Sequence, residues 1–91
     1  MITLLLTLLA QVTAQVPATG ETFTGQEADG VIRMEDKRGR QCSVKVGRQD
    51  AYGFSVGTSR CQDGRVGRVI LRGGRHGYGD LGGQELELLI R

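Results

Sequence analysis

The chain has 91 residues, of which 38% are hydrophobic and 24% charged, with a formal net charge of +2. That length allows one domain at most. Fifteen glycines, no tryptophan and no apolar pattern at helical spacing argue against a helix bundle, and leave Val, Leu and Ile to fill a small β core.

Residues Ile2 to Ala14 are almost uniformly apolar or small, and no charged side chain precedes Glu21. The run is shorter than the ~20 apolar residues that span a bilayer. It fits the core of a signal peptide, with Val12-Thr13-Ala14 supplying the small residues of a cleavage site. Residues 1–14 are therefore expected to be a signal peptide, and a retained membrane anchor is the alternative. No Lys or Arg precedes the run, so only the amino terminus supplies the positive charge. Cleavage would leave a chain that starts at Gln15 and is exported to the periplasm or the medium.

Residues 15–29, QVPATGETFTGQEAD, are polar, hold the only proline and carry a single large apolar side chain, Phe23. They read as a flexible N-terminal arm. The small β domain is expected over 30–91. Val31 to Glu35 predicts a short strand with Ile32 and Met34 on one side, and Asp36-Lys37-Arg38-Gly39 predicts a turn.

The stretch from Gln41 to Cys61 holds both cysteines. Cys42, Val44 and Val46 alternate with polar or small residues, as do Tyr52, Phe54 and Val56, and a polar loop lies between the two runs. Pairing of the two strands predicts that Cys42, Val44, Val46, Phe54 and Val56 share one buried face. Cys61 breaks the parity of Phe54 and Val56, so a bulge or strand end near Gly57 is expected to turn it inward. In an oxidising compartment Cys42 and Cys61 would form a disulfide closing a loop of about 20 residues, worth roughly 3 kcal/mol on the chain-entropy model. Two free buried thiols are the alternative.

Gln62-Asp63-Gly64-Arg65 predicts a second tight turn. Val66 to Arg72 predicts a strand with Val69 and Leu71 inward and Arg68, Ile70 and Arg72 outward. Gly73 to Gly83 has six glycines in eleven residues and hides a short strand around His76 to Asp80. Gln84 to Ile90 alternates, with Leu86, Leu88 and Ile90 in and Glu85 and Glu87 out. The sum is an all-β fold, a small antiparallel meander or reduced β-barrel of five to six strands with one disulfide.

Charge is segregated along the chain. Glu21 to Asp36 carries five acids and one Arg, Lys37 to Tyr78 ten bases and two acids, and Asp80 to Arg91 three acids and one Arg. One account is internal complementarity between acidic outer strands and a basic middle. The other is a basic face for an acidic partner, with Arg68 and Arg72 as its outward residues.

Signals for catalysis are poor, and no enzyme is expected. His76 lies four residues before Asp80, but no nucleophile is marked out beside it. One His and two cysteines do not make a structural zinc site, and the glycine run lacks the Lys-Ser/Thr of a phosphate loop. No cofactor and no metal are expected. The arginines lack interleaved aromatics, and export leads away from nucleic acid.

The order Gly30-Val31-Ile32, Cys42-Ser43-Val44-Lys45-Val46, Tyr52-Gly53-Phe54-Ser55-Val56, Cys61, Val66 to Leu71 and Asp80-Leu81-Gly82-Gly83 resembles one family over roughly residues 30–90. These are the bacterial periplasmic inhibitors of serralysin-type zinc metalloproteases (the Inh family), small secreted β-barrels with one disulfide. The family usually carries tryptophans that this chain lacks, and the chain is about 25 residues short of it, which predicts a barrel missing one or two strands. The resemblance implies a secreted or periplasmic binding domain that inhibits a zinc metalloprotease, with an N-terminal arm entering the protease cleft. On that analogy Gln15, Val16 and Pro17 approach the catalytic zinc of the partner. The alternative is a structural or accessory subunit of a cell-envelope complex without inhibitory activity.

Overall fold

A computed structural model describes residues 9–91. Its eight strands are β1 (Ala10–Val16), β2 (Glu21–Ala28), β3 (Val31–Glu35), β4 (Gln41–Val46), β5 (Phe54–Cys61), β6 (Val66–Arg72), β7 (His76–Leu81) and β8 (Gln84–Ile90). Each pairs antiparallel with the next, and β1 pairs with β8, so the sheet is a closed up-and-down barrel. Eight strands enclose a lumen that side chains alone can fill, and here those side chains are apolar. Phe23, Ile32, Leu71, Leu81, Leu86, Val12, Val16, Val44 and Val69 are fully buried.

The expectation of an all-β antiparallel fold with one disulfide agrees with the structure, and the expected strand number does not. The barrel has eight strands and closes. The missing strands come from the segment read as leader and arm. Val12, Ala14 and Val16 point into the core and Gln11, Thr13 and Gln15 point out, a period-2 pattern that joins the end of the apolar run. The first eight residues of the expected signal peptide lie outside the described residues. Ala10–Ala14 belongs to β1, where Val12 faces Ile90 and Ala14 faces Leu88. The arm expected over 15–29 is the end of β1, a turn and all of β2. One large side chain suffices in β2 because Gly25 crosses close over β3, where a Cβ would run into the backbone of Arg33 and Met34.

Cys42 and Cys61 face each other across β4 and β5 and are joined by a disulfide. No bulge at Gly57 is needed. β5 runs unbroken with Ser55, Gly57, Ser59 and Cys61 inward and Phe54, Val56, Thr58 and Arg60 outward. Cys61 keeps one parity with its strand, and the expected burial of Phe54 and Val56 is overturned. The reason is space. A Cβ on Gly57 would already lie 2.8 Å from Val44 Cγ1 and 3.1 Å from the Lys45 carbonyl oxygen.

Turns follow local chemistry. Gly64 adopts φ +95° after Asp63, as the Asp-Gly signal requires. The Asp36 carboxylate accepts backbone N–H bonds from Arg38 and Arg40, each 2.9 Å, and closes the β3–β4 turn.

Candidate functional site: the outer face of β5, β6 and β7

The same parity runs through the next two strands. β6 turns Gly67, Val69 and Leu71 inward, and β7 turns in Gly77, Gly79 and Leu81. Much of the inner surface of this wall is therefore glycine or serine. A Cβ on Gly77 would sit 3.0 Å from Val69 Cγ1 and 3.1 Å from Leu71 Cδ2, so a larger residue there would have to push these core side chains aside. Ser59, the one fully buried polar side chain among the described residues, donates to the Asp80 carbonyl oxygen at 3.0 Å.

Val69, Leu71 and Leu81 fill the rest of that inner surface, and the other large apolar side chains of these strands point outward. The register sets Val56 opposite Ile70 and Ile70 opposite Tyr78, three neighbours in one row. They are 58%, 53% and 60% exposed. Phe54 lies in the adjacent row, opposite Arg72, and Arg72 is opposite His76. Scattered exposed apolar residues are ordinary on a protein surface, whereas a contiguous row marks a contact surface.

One end of this row is concave. Phe54, Ile70 and Tyr78 line a cavity of about 750 Å³ with Arg72, Arg75 and His76 around it. Two loops frame it. In the β4–β5 loop the Asp50 carboxylate accepts from the backbone N–H groups of Tyr52 (2.8 Å) and Phe54 (2.9 Å), which fixes the start of β5. The β6–β7 loop is tied to it by a bond from Gly73 N–H to the Gly53 carbonyl, 2.8 Å.

Of the residues singled out in the sequence, Arg68 and Arg72 belong to this face, on either side of Ile70 along β6. Gln15 lies outward two strands beyond Tyr78, across Glu87. Val16 is buried in the core and Pro17 is exposed in the β1–β2 turn, so Gln15 and Val16 are strand residues rather than a free arm. Phe54, Ile70 and Tyr78 were missed as contact residues. Their signal was the parity of Cys61, which sends Phe54 outward once no bulge is invoked.

The opposite side of the barrel has another broad concavity, of about 720 Å³, over β2 to β5. Its rim is long amides and charged groups, including Gln11, Gln26, Arg33, Gln41 and Arg60. Ordering such flexible side chains around a ligand costs ~1–2 kcal/mol each in lost rotamers, so this surface is the weaker candidate.

The internal complementarity of charge is concentrated at one barrel mouth. Arg65, in the β5–β6 turn, grips Glu21 of β2 with both terminal nitrogens, at 2.7 and 3.0 Å. Its Nε donates to Asp63 at 3.0 Å, and Arg40 stands 3.8 Å from Glu21. The Arg65 hydrogen bonds hold the Glu21 carboxyl below its ordinary value, outweighing burial, with help from the Thr19 hydroxyl and the charges of Arg65 and Arg40. The Arg65 guanidinium is raised in turn, chiefly by Glu21 and then by Asp63. At Asp36, burial pushes the carboxyl up but loses to the N–H bonds of Arg40 and Arg38 and the Arg40 charge, and the net shift is downward. Glu21 and Asp63 are committed to the Arg65 cluster and Asp36 to its own turn.

Among the described residues, no three His, Cys, Asp or Glu side chains gather as a metal site. His76 is exposed on β7, between Arg72 and Leu89 on its neighbours. No family model, no curated protein and no solved structure matches the chain.

Proposed function

We propose that this chain is a secreted or periplasmic binding domain that docks a protein partner through the outer face of β5, β6 and β7. One observation carries the reading. The wall gives up inward bulk to glycine and serine and holds Val56, Ile70, Tyr78 and Phe54 in water. The exposed part of that apolar area adds little to folding beyond cross-strand pairing and is a free-energy source for association. The disulfide supports an oxidising compartment.

The inhibitor of a zinc metalloprotease is the specific form of this reading that the Inh resemblance implies. A one-disulfide barrel supports it. Entry of an arm at Gln15 and Val16 does not suit a chain whose β1 holds both residues, so inhibition on this reading would act from the barrel face. The test is in two steps. The purified protein is assayed against a secreted serralysin-type endopeptidase, and partners cross-linked in its own periplasm or medium are identified beside an Ile70→Lys control. Slowed proteolysis that the control abolishes supports the inhibitor. Loss of a captured envelope protein in the control, with no protease slowed, favours the accessory subunit. Capture unchanged by Ile70→Lys overturns the face as the contact surface.

A further inference from the structure

The concave end of the face has chemistry that narrows the partner. Arg68, Arg72 and Arg75 form no ion pair with any other described residue, in contrast to Arg40 and Arg65 at the barrel mouth. Asp80, the nearest acid in the β7 row, is already engaged: its carboxylate accepts from the backbone N–H groups of Arg68 (3.1 Å) and Gly83 (3.3 Å). The floor of the cavity is Phe54, Ile70 and Tyr78. Beyond Tyr78 the surface changes sign, with Glu87 directly opposite it on β8 and Glu85 two residues along. The cavity thus has an apolar floor with unpaired guanidiniums at Arg72 and Arg75, and the carboxylates of Glu87 and Glu85 stand outside it on β8, beyond Tyr78.

Resting on the docking face proposed above, we propose that this pocket takes an acidic polypeptide segment, in which an aromatic or aliphatic side chain stands next to a carboxylate. The apolar group seats between Ile70 and Tyr78. The carboxylate is held by Arg72 and Arg75, whose planar forks suit bidentate recognition. Glu87 disfavours the reverse orientation and repels acids on the β8 side, which sets direction as well as affinity. The framing loops are joined through Gly53 and Gly73 and braced by Asp50, so the backbone around the pocket is fixed before binding and the ordering cost falls on Arg72 and Arg75.

The test uses the full chain and a peptide probe of about a dozen residues with a central Phe-Leu flanked by Asp and Glu, beside a twin whose acids are replaced by Lys. Binding is followed by fluorescence anisotropy and by NMR shift mapping. The acidic probe is expected to bind with shifts centred on Ile70, Arg72 and Tyr78, to weaken as salt rises, and to outbind its twin by at least about tenfold. Arg72→Glu with Arg75→Glu reverses the preference between the twins while the melt stays unchanged. Equal binding of both peptides overturns the inference, and so does charge reversal without effect. Binding to phosphatidylglycerol vesicles but not to the peptide overturns it in favour of a membrane surface. Self-association that Ile70→Lys abolishes, without peptide binding, overturns it in favour of a second copy. A captured native partner lost with Ile70→Lys but kept with the double arginine variant leaves the docking face standing and removes only the acidic specificity.

Discussion

The barrel has two unlike walls. From β8 through β1 to β4 the strands put bulk inside and polarity outside: Leu86, Leu88, Val12, Phe23, Ile32 and Val44 are buried, and Glu85, Gln11, Thr24, Arg33 and Lys45 face water. From β5 to β7 the order is largely reversed, with glycine and serine inside and Phe54, Val56, Ile70 and Tyr78 outside. A small lumen has a fixed volume, and interiors are close-packed. With the first wall and Val69, Leu71 and Leu81 filling that volume, the remaining inward positions of β5 to β7 are held to small residues, leaving that wall thin, and Phe54, Val56, Ile70 and Tyr78 point out. The thick wall carries stability, and the thin wall is free to carry contact. Besides the β4–β5 and β7–β8 ladders, two side-chain ties join the walls: the disulfide from β4 to β5, and the Arg65 grip on Glu21 from the β5–β6 turn to β2.

The largest expected effect breaks the thick wall itself. Removing residues through Ala14 takes away Ala10–Ala14 of β1, with buried Val12 and Ala14, and uncovers edges on β2 and β8. A domain of this size has a total stability of only about 5 kcal/mol, and each buried aliphatic lost costs about 1.5–3 kcal/mol. The truncated chain is expected to lose cooperative folding by circular dichroism. A truncated form that melts like the whole chain would show that β1 is dispensable and would fit a leader cleaved after Ala14.

The covalent tie comes next. Cys42→Ala with Cys61→Ala frees a closed loop with a sequence separation of 19, worth about 3 kcal/mol. The melting temperature should fall steeply, and the wild-type protein in reductant should match the variant. A further step acts on space alone. Gly57→Val adds bulk that meets Val44 Cγ1 and the Lys45 carbonyl, and overpacking of this kind costs about 1–3 kcal/mol. A neutral Gly57→Val in a denaturant melt would mean that the thin wall has room to spare, and the contrast between the walls would fail.

Sequence legibility follows the same division. β3, β4 and β8 were readable because buried Ile32, Met34, Val44, Leu86, Leu88 and Ile90 alternate with polar groups, so size and polarity mark the same face. β6 was readable through Val69 and Leu71, which also showed Arg68 and Arg72 as outward. In β5 the large residues mark the wrong face, because what sits inside is glycine and serine, and only Cys61 betrays the parity. β1 was hidden for another reason: its Val12, Ala14 and Val16 continue an apolar run that begins at Ile2, so composition masked the alternation. Barrel closure was illegible for the same cause, since it depends on β1 meeting β8. The pocket joins Phe54 with Tyr78, 24 positions apart, through a register that no local pattern encodes.

The ionic tie is weaker and is legible in pH. Folding holds the Glu21 carboxyl below its ordinary value of 4.5. Its stabilisation is therefore complete above about pH 4.5 and is lost as the pH falls through the lower folded-state value. The melting temperature should be flat near neutrality and fall with acid below that point. Glu21→Gln removes the charge from a partly exposed pair, costs about 1 kcal/mol at neutral pH, and should flatten the acid limb in the same melts. An unchanged acid limb would assign the pH dependence to Asp36 and Asp63, whose carboxyls are also lowered.

The smallest effect on stability tests the comparison most closely. Ile70 stands beside Leu71 on β6, one pointing out and one pointing in. Leu71→Ala empties a filled core and should cost about 2–5 kcal/mol. Ile70→Thr keeps the β-branched shape that strands favour and removes only exposed apolar surface, so the change in stability should stay within about 0.5 kcal/mol. If the thin wall exists for contact, the same Ile70→Thr should still weaken partner binding in anisotropy or pull-down. A residue that folding does not need and binding does is the signature of an interface. An Ile70→Thr that destabilises as much as Leu71→Ala would mean that the outer row is packed against something in the folded chain, and the thin wall would lose its claim to be a docking face.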